Sequence, residues 1–182
     1  MSRGNALRAL LVAHQPADAQ ERAHRDAMLA LVEAGEAVLS RGHFEPGHFT
    51  ASAFVLSPDR ESVLLIHHIK LQRWLQPGGH IEPHDADVVA AALREVQEEC
   101  GLSDLAPLGD GLFDVDVHVI PARRDEPAHK HFDVRVALWS RSEAATVGDG
   151  VSDVAWVPLA EVTASRSDAS VVRAVGKLRA LV

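Results

Sequence analysis

Three glutamates stand together in one predicted helix, at positions 95, 98 and 99 of the stretch LREVQEECGL. Residues three and four apart share a helix face, and like charges at that spacing destabilise a helix by about 0.2–0.5 kcal/mol per pair. A sequence selected for stability alone would avoid such a face. Carboxylate oxygens are the ligands that Mg²⁺ and Mn²⁺ prefer, so the spacing suggests a bound cation. A solvated acidic face is the alternative when the three residues are considered alone.

Acidic and histidine side chains alternate with apolar ones in a second region, the segments FDVDVHVI and HKHFDVRV. Successive side chains of a strand point to opposite faces, so each segment should be a strand with one polar and one apolar side. If the loop PARRDEPA joins the strands antiparallel, His118 lies opposite His131 and Asp116 lies opposite Asp133. The residues expected on the core side are Val115, Val117, Phe132 and Val134.

The polar face of this hairpin is expected to line a pocket that holds water or a ligand. Burying its acids and imidazoles without such partners would cost several kcal/mol. We predict that it lines a substrate cleft above the glutamate helix, with Asp116, His118 and His131 contacting the substrate. Two alternatives stay open. One is a polar sheet face with ordinary hydrogen bonds. The other is a second metal site, such as a zinc site of His118, His129 and His131, which lacks a recognised ligand spacing.

The remaining patterns predict the elements that position these residues. An apolar arc over residues 87–100 indicates a buried helix face beside the glutamates, and Gly101 ends that helix. Cys100 falls on the apolar arc and is interpreted as a core residue rather than a nucleophile. Residues 49–68 form two β-rich runs around a Ser-Pro-Asp turn, which predicts a hairpin. A strand over 152–162 and an amphipathic helix over 168–181 follow.

The N-terminal part is predicted to be helical, unlike the β-rich segments that begin at residue 49. Two helices are predicted, over residues 5–14 and 19–34, and Asp18 and Glu21 have capping-box spacing at the start of the second. Residues 40–48 indicate a linker. The segment WLQPGGHIEPHDAD indicates a loop, in which Asp85 and Asp87 are interpreted as helix caps rather than ligands. We therefore predict an α+β fold, a mixed-sheet α/β/α sandwich preceded by a helical extension.

Composition disfavours several classes of protein. The chain has 182 residues, a net charge of −8 and a single cysteine. This acidity disfavours a nucleic-acid polymer or a membrane surface as partner. One cysteine can form no internal disulfide, and no apolar run approaches the roughly 20 residues needed to span a membrane. We expect a cytoplasmic protein that acts on a small molecule.

The stretch GGHIEPHDADVVAAALREVQEECGL, residues 78–102, resembles the signature of the Nudix hydrolases. That signature is Gly-x5-Glu-x7-Arg-Glu-apolar-x-Glu-Glu-x-Gly-apolar, and its second half matches from Arg94 to Leu102. The first half departs from it, because Asp85 stands at the Glu position and Arg94 follows nine residues later instead of eight. The preceding WLQPGGH and the later WVPL are also similar to the family. The resemblance implies a Nudix domain over residues 47–182 and an N-terminal helical extension over 1–46.

The resemblance also implies roles for individual residues. Glu95 and Glu99 are expected to bind Mg²⁺ or Mn²⁺, and Glu98 is a further ligand or the base that activates water. A carbonyl of Gly78 or Gly79 is expected to add a ligand. Arg94 should support the glycine loop, although the departure at position 85 leaves its partner open. The implied reaction is attack of water on a diphosphate in a nucleoside diphosphate derivative or a related organic diphosphate.

Other candidate substrate contacts are less specific. Arg123 belongs to a basic cluster with Arg124 and Lys130, which indicates either phosphate contact or a solvated loop. Trp74 could stack on a base, although packing is the favoured interpretation for an isolated aromatic residue. Two alternative functions remain: a non-catalytic Nudix-like sensor of a nucleotide metabolite, and an isopentenyl diphosphate isomerase, which the position of Cys100 disfavours. A homodimer is left open.

Overall fold

The computed structural model describes residues 2–123 and 125–181. Four α-helices and two short 3₁₀ turns, Glu36–Leu39 and Leu159–Glu161, are present in this part of the chain. The helices are α1 Arg3–Ala13, α2 Ala19–Val32, α3 Val88–Cys100 and α4 Ala169–Leu178. Side-chain caps begin three of them where the sequence suggested. Asp18 accepts the amide of Glu21 at 2.8 Å, Asp87 accepts that of Ala90 at 2.9 Å, and Asp168 accepts that of Val171 at 2.9 Å.

Eight strands form a sheet in which hydrogen-bonded neighbours follow the order β3-β2-β1-β7-β5, with β4 on β1, β6 on β7 and β8 on β2. The strands are β1 Gly47–Leu56, β2 Ser62–His68, β3 Arg73–Leu75, β4 Gly78–His80, β5 Leu105–Pro107, β6 Asp114–Ile120, β7 His129–Ser140 and β8 Val151–Pro158. The predicted α+β class with a mixed sheet is confirmed. The loop prediction for residues 74–87 was wrong in part, because β4 and most of β3 lie there. Three-residue strands are too short to show alternation.

Contacts between residues divide the chain into two compact units. The first unit comprises Met1–Ser52, Gly79–Ala92 and Gly109–Val136. Its apolar side chains are contributed by both N-terminal helices and by the β6–β7 hairpin. Fully or nearly fully buried members include Leu7, Leu11, Met28, Phe49, Val115, Phe132 and Val134. The expected division into an extension of 1–46 and a domain of 47–182 stays a prediction.

The second unit comprises Ala53–Gly78, Leu93–Leu108 and Ala137–Val182. Strand β2 pairs antiparallel with β8 along nearly its whole length, from Ser62 opposite Pro158 to His68 opposite Val151. The buried side chains of this unit include Phe54, Leu64, Leu65, Val96, Cys100, Val171 and Leu178. Cys100 therefore lies in the core, as expected, and burial raises the pKa of its thiol to about 12. A thiol this buried and this weakly acidic is a poor nucleophile.

No helix within residues 2–123 and 125–181 is long and apolar enough to cross a bilayer.

Candidate functional site

The three glutamates lie on α3, and the helix gives them different environments. Glu99 is buried, with about 9% of its surface exposed, whereas the side chain of Glu98 is 52% exposed. Arg94 bridges the other two, since its Nη1 donates to Glu95 Oε1 at 2.9 Å and to Glu98 Oε2 at 3.0 Å. Part of the like-charge repulsion on this face is therefore offset by a guanidinium one residue before the first glutamate. Two of the partners of Arg94 therefore belong to the acidic face itself.

Glu99 is tied to the glycine segment and is strongly affected by burial. Its Oε2 accepts a hydrogen bond from the amide of Gly78 at 3.0 Å, which ties the end of the glycine segment to the helix. Burial raises the pKa of Glu99 to about 8. The hydrogen bond from Gly78 opposes this rise, and the charges of Glu95 and Glu98 add to it. A carboxylate whose charge is this poorly compensated favours a cation as its partner.

The end of α3 is held in place by the segment that follows β7. The amide of Thr146 donates to the carbonyl of Cys100, and the amides of Gly148 and Asp149 donate to those of Glu99 and Glu98, at distances from 2.9 to 3.2 Å. These bonds satisfy carbonyls that a helix end otherwise leaves without partners. A Cβ at Gly148 would lie 1.9 Å from the carbonyl oxygen of Glu98, so only glycine permits this approach. The backbone that carries the glutamates is thus fixed by 146–149.

The loop between β4 and α3 is ordered by its own acids and by the N-terminal helix. The Oδ2 of Asp85 accepts the amide of Glu82 at 2.8 Å within the loop. Asp87 does cap α3, as predicted. The guanidinium of Arg3 donates to the carbonyls of Glu82 and Asp85 at 2.9 and 3.3 Å. No sequence pattern predicts this contact, since a lone arginine near the N-terminus belongs to no local motif.

The β6–β7 hairpin has the predicted register. His118 lies opposite His131 and Asp116 lies opposite Asp133, and seven such pairs run from Asp114 to Ile120. Four side chains were expected in the core. Val115, Phe132 and Val134 are at most 3% exposed, whereas Val117 is half-buried. The alternation of the sequence was therefore sufficient to assign the two faces.

The acids on the polar face do not need water, which corrects the premise of a wet pocket there. They surround Arg135, which is 2% exposed. Arg135 contacts Asp133 at 2.7 Å, Asp114 at 3.2 Å and Asp116 at 3.5 Å. Thr50 and Ser52 donate to Asp133 at 3.0 and 2.8 Å. The cost of burial is offset by a central guanidinium and by hydroxyl donors, because buried carboxylates are tolerated when paired and hydrogen-bonded.

Asp116 links this network to a histidine. Burial alone would raise the pKa of Asp116, but the hydrogen bond from His118 and the charge of Arg135 lower it to about 2. The Nδ1 of His118 lies 3.1 Å from Asp116 Oδ2, and the ring itself is exposed. Asp116 therefore stays ionised at neutral pH and orients the His118 ring. Whether this face lines a cleft above the glutamate helix stays a prediction.

His131 belongs to a cluster that sequence reasoning missed. Within residues 2–123 and 125–181, one group of three potential ligand atoms lies within 4.8 Å of one another, and it consists of His48, His80 and His131. Burial lowers the pKa of all three rings, to about 4 for His80 and about 2 for His131. Their neighbours in the cluster add to these shifts. All three imidazoles are thus neutral at pH 7.

The two remaining candidate contacts are found in ordinary surroundings. Arg123 is exposed in the loop after β6, where its backbone exchanges hydrogen bonds with that of Glu126 at 2.9 and 3.2 Å. Trp74 is half-buried in β3, edge-on to His67 with ring centroids 5.4 Å apart. Arg124, the other arginine of the basic cluster, lies outside the described residues. Neither placement distinguishes substrate contact from a packing or surface role.

The donor set on α3 fits a hard divalent ion. It consists of three carboxylates with an adjacent backbone segment, which are the oxygen ligands that Mg²⁺ and Mn²⁺ take. The burial of Glu99 beside two further carboxylates supports this fit, because burial raises its pKa and a bound cation would stabilise its ionised form. An ion at this face would compete with Arg94 for Glu95 and Glu98. The half-exposed Glu98 side chain can turn toward an ion without repacking the core.

Comparison with known proteins was made at three levels. The family model of the NUDIX domain matches residues 46–175. No curated protein matches the chain. Among solved structures, a NUDIX-family hydrolase from Clostridium perfringens is 24% identical, with 74% of this chain and 98% of that chain covered and a TM-score of 0.56.

Two further solved structures are similar over most of their length. A C. elegans Ap4A hydrolase in a binary complex is 18% identical, with 72% of this chain and 95% of that chain covered and a TM-score of 0.53. The NUDIX domain of Shewanella oneidensis NrtR complexed with ADP ribose is 19% identical, with 99% and 98% covered and a TM-score of 0.56. Because all three structures are less than 25% identical to this chain, their similarity shows a shared fold and nothing more.

Proposed function

This chain belongs to the Nudix hydrolase family, and from that premise we propose that it is a divalent-metal-dependent pyrophosphohydrolase. The proposed substrate is a nucleoside diphosphate derivative or a related organic diphosphate. The observation that carries the proposal is the acidic face of α3, where Glu99 is buried beside Glu95 and Glu98 and bound to the Gly78 amide. A helix face that served only solubility would not bury one of its three carboxylates.

We assign Mg²⁺ or Mn²⁺ to Glu95, Glu98 and Glu99, with a carbonyl of Gly78 or Gly79 as the further ligand. When bound, such an ion neutralises the diphosphate and makes a water molecule more acidic. Glu98 is the candidate general base, because its half-exposed carboxylate can accept a proton from water at the helix surface. Glu99 is held by the Gly78 amide, so its role is to fix ligand geometry.

Arg94 is proposed to position the acids. Its guanidinium holds Glu95 and Glu98 at 2.9 and 3.0 Å, which restricts their rotamers on the face of α3. Two charge-assisted hydrogen bonds fix the guanidinium against these acids. Arg94 therefore acts through the glutamates rather than on the substrate.

Substrate contacts are proposed for the hairpin and for two outlying residues. His118 is exposed and oriented by Asp116 at 3.1 Å, so its ring can offer a hydrogen bond to a polar group of the substrate. Asp116 is buried against Arg135 and contributes through that ring. His131, Arg123 and Trp74 remain candidate contacts. The partner is a small phosphorylated molecule, and we propose a cytoplasmic location; a homodimer remains a candidate assembly.

A second function is a nucleotide-binding sensor without catalysis. The NrtR NUDIX domain was solved with ADP ribose, and its likeness extends over 99% of this chain, the N-terminal helices included. Such a module need not keep the three carboxylates, so their presence on α3 favours hydrolysis. The two functions differ in one observable, since a sensor binds its metabolite and leaves it intact.

A substrate panel tests the proposal. Purified protein would be incubated with ADP ribose, diadenosine polyphosphates, nucleoside triphosphates and nucleotide sugars in Mg²⁺, in Mn²⁺ and in excess chelator. Products would be resolved by chromatography and by a phosphatase-coupled phosphate assay. We expect turnover of at least one member that the chelator abolishes. Tight binding of a panel member that is recovered intact in both metals would instead establish the sensor.

A further inference from the structure

A cluster of three imidazoles lies within the first unit and shares no residue with the acids that the proposed hydrolysis uses. The ring centroids of His48 and His131 are 4.9 Å apart, those of His48 and His80 are 5.2 Å apart, and those of His80 and His131 are 5.4 Å apart. Each ring offers one nitrogen to a common region, where these three atoms lie within 4.8 Å of one another. Such convergence of three nitrogens is what a metal ion requires.

Three different strands supply the three rings. His48 is the second residue of β1, His80 is the last residue of β4, and His131 is the third residue of β7. Strand β4 pairs with β1, and β1 neighbours β7 in the sheet. The histidines converge because the strand order brings them together, although 32 residues separate the first from the second and 51 separate the second from the third. No local spacing pattern could reveal such a set.

An independent observation comes from the hydrogen bonds of His48, which is only 1% exposed. Its Nδ1 lies 3.1 Å from the carbonyl oxygen of His43, and a carbonyl can only accept, so Nδ1 carries the hydrogen. The other nitrogen, Nε2, is then a bare lone pair. In the described part of the chain this buried Nε2 has no hydrogen-bond partner.

A buried acceptor with no donor loses its solvation without compensation, and native structures rarely leave one without a reason. A metal ion at Nε2 would supply the missing partner. The Nδ1–H to carbonyl bond is also the arrangement that usually orients a metal-binding imidazole and fixes its tautomer. His48 therefore has the features of a ligand already held in position.

We propose that His48, His80 and His131 bind a first-row transition metal ion of the Zn²⁺ class, separate in chemistry from the oxygen ligands on α3. Three imidazole nitrogens suit Zn²⁺, Co²⁺, Ni²⁺ or Cu²⁺ and do not suit Mg²⁺. The site exists whether or not the chain hydrolyses a diphosphate. With three protein ligands, a tetrahedral ion keeps a fourth position for water or for an anionic oxygen.

The geometry requires only small movements. Zn–N bonds of about 2.0–2.1 Å at tetrahedral angles place nitrogens about 3.4 Å apart. Ligand atoms that lie within 4.8 Å of one another would close by at most about 1.4 Å per pair, which side-chain rotations can supply. The competing interpretation is a packed imidazole cluster without metal, since His129 and Phe44 also contact these rings.

The test uses the full chain, without any histidine tag, after removal of metals by a chelator. Co²⁺ would be titrated and followed by its visible absorption, and Zn²⁺ binding would be measured by calorimetry. With millimolar Mg²⁺ present to occupy the carboxylates of α3, we expect one equivalent to bind with the intense bands of a four-coordinate site. Zinc X-ray absorption of the loaded protein should show imidazole nitrogens at about 2.0 Å. Absence of a one-to-one complex in the wild-type protein would overturn the proposal, whatever the variants do.

The variants are His80→Gln and His131→Gln, with His84→Gln as matched control. His84 has an exposed side chain in the loop after β4 and is not a member of the cluster. Loss of an orienting partner typically costs a site 10–100-fold in affinity, so loss of a direct ligand should weaken Co²⁺ binding by at least about 100-fold. His84→Gln and Glu99→Gln should bind as the wild type does. The assignment would be refuted if one-to-one binding survives in both cluster variants, or if Glu99→Gln removes it. If one cluster variant does not fold, the other variant decides.

Discussion

Replacing Arg135 with methionine removes a cation that contacts all three buried aspartates of the β6–β7 hairpin. Methionine keeps much of the arginine's length and apolar stem, so the change is mainly one of charge and hydrogen bonding. Asp114, Asp116 and Asp133 would remain at 0–4% exposure without their central partner.

The size of the effect follows from burial. Breaking a buried ion pair by removing one partner costs about 3–5 kcal/mol, because the remaining charge is left uncompensated. Thr50 and Ser52 would still donate to Asp133, and His118 would still contact Asp116, which limits the loss. We expect Arg135→Met to lower the free energy of unfolding by about 3–5 kcal/mol, a large share of the 5–15 kcal/mol typical of a domain.

The assay is urea unfolding followed by far-UV circular dichroism, with Arg8→Met as control. Arg8 contacts Glu33 at 2.7 Å on an exposed surface, so its loss should cost about 1 kcal/mol or less. Adding Asp133→Asn to Arg135→Met should cost less than the sum of the two single changes, since it removes one unpaired charge. Equal effects of Arg135→Met and Arg8→Met would refute the argument, as would strict additivity in the double variant.

Three further predictions concern other parts of the molecule. Gly148→Ala should destabilise the protein by about 1–3 kcal/mol in the same urea assay, because its Cβ would meet the backbone of Glu98 at 1.9 Å, whereas Gly111→Ala meets nothing within 4 Å and should be near neutral. The pKa of Asp116 in the folded protein is about 2, below its ordinary 3.8. Its contribution to the free energy of unfolding is therefore present above pH 3.8 and is lost as pH falls toward 2. Between pH 5 and pH 2, the free energy of unfolding of Asp116→Asn should fall by about 2 kcal/mol less than that of the wild type. Millimolar Mg²⁺ or Mn²⁺ should raise the melting temperature by mass action, and by less in Glu95→Ala; equal shifts in the two proteins would contradict a site at α3.

The sequence was sufficient where the signal is local. Capping aspartates predicted at 18 and 87 begin α2 and α3, and strict alternation assigned both faces of the β6–β7 hairpin, including the pairing of His118 with His131. These features depend on periods of two or about 3.6 residues, which a single sequence displays directly. The spacing of the three glutamates on α3 likewise predicted that they share one face of that helix.

The sequence was insufficient where distant segments meet. Alternation placed Arg135 on the polar face, yet only the structure shows that it neutralises three carboxylates, which removed the argument for a wet pocket. The convergence of His48 and His80 with His131 depends on strand order, and the contact of Arg3 with the loop before α3 depends on how α1 packs. Non-local contacts of this kind have no sequence period, so pattern analysis cannot find them.

The central claim is that the acidic face of α3 holds the ion required for diphosphate hydrolysis, and Glu99→Gln tests it most directly. This change keeps the size of the side chain and leaves an oxygen to accept the Gly78 amide, so the fold should be retained. The measurement is kcat in Mg²⁺ on the best substrate of the panel, with folding checked by circular dichroism. We predict a fall of at least about 100-fold, because a charged ligand is lost from the site. Turnover within a few-fold of the wild type by the folded variant would contradict the account.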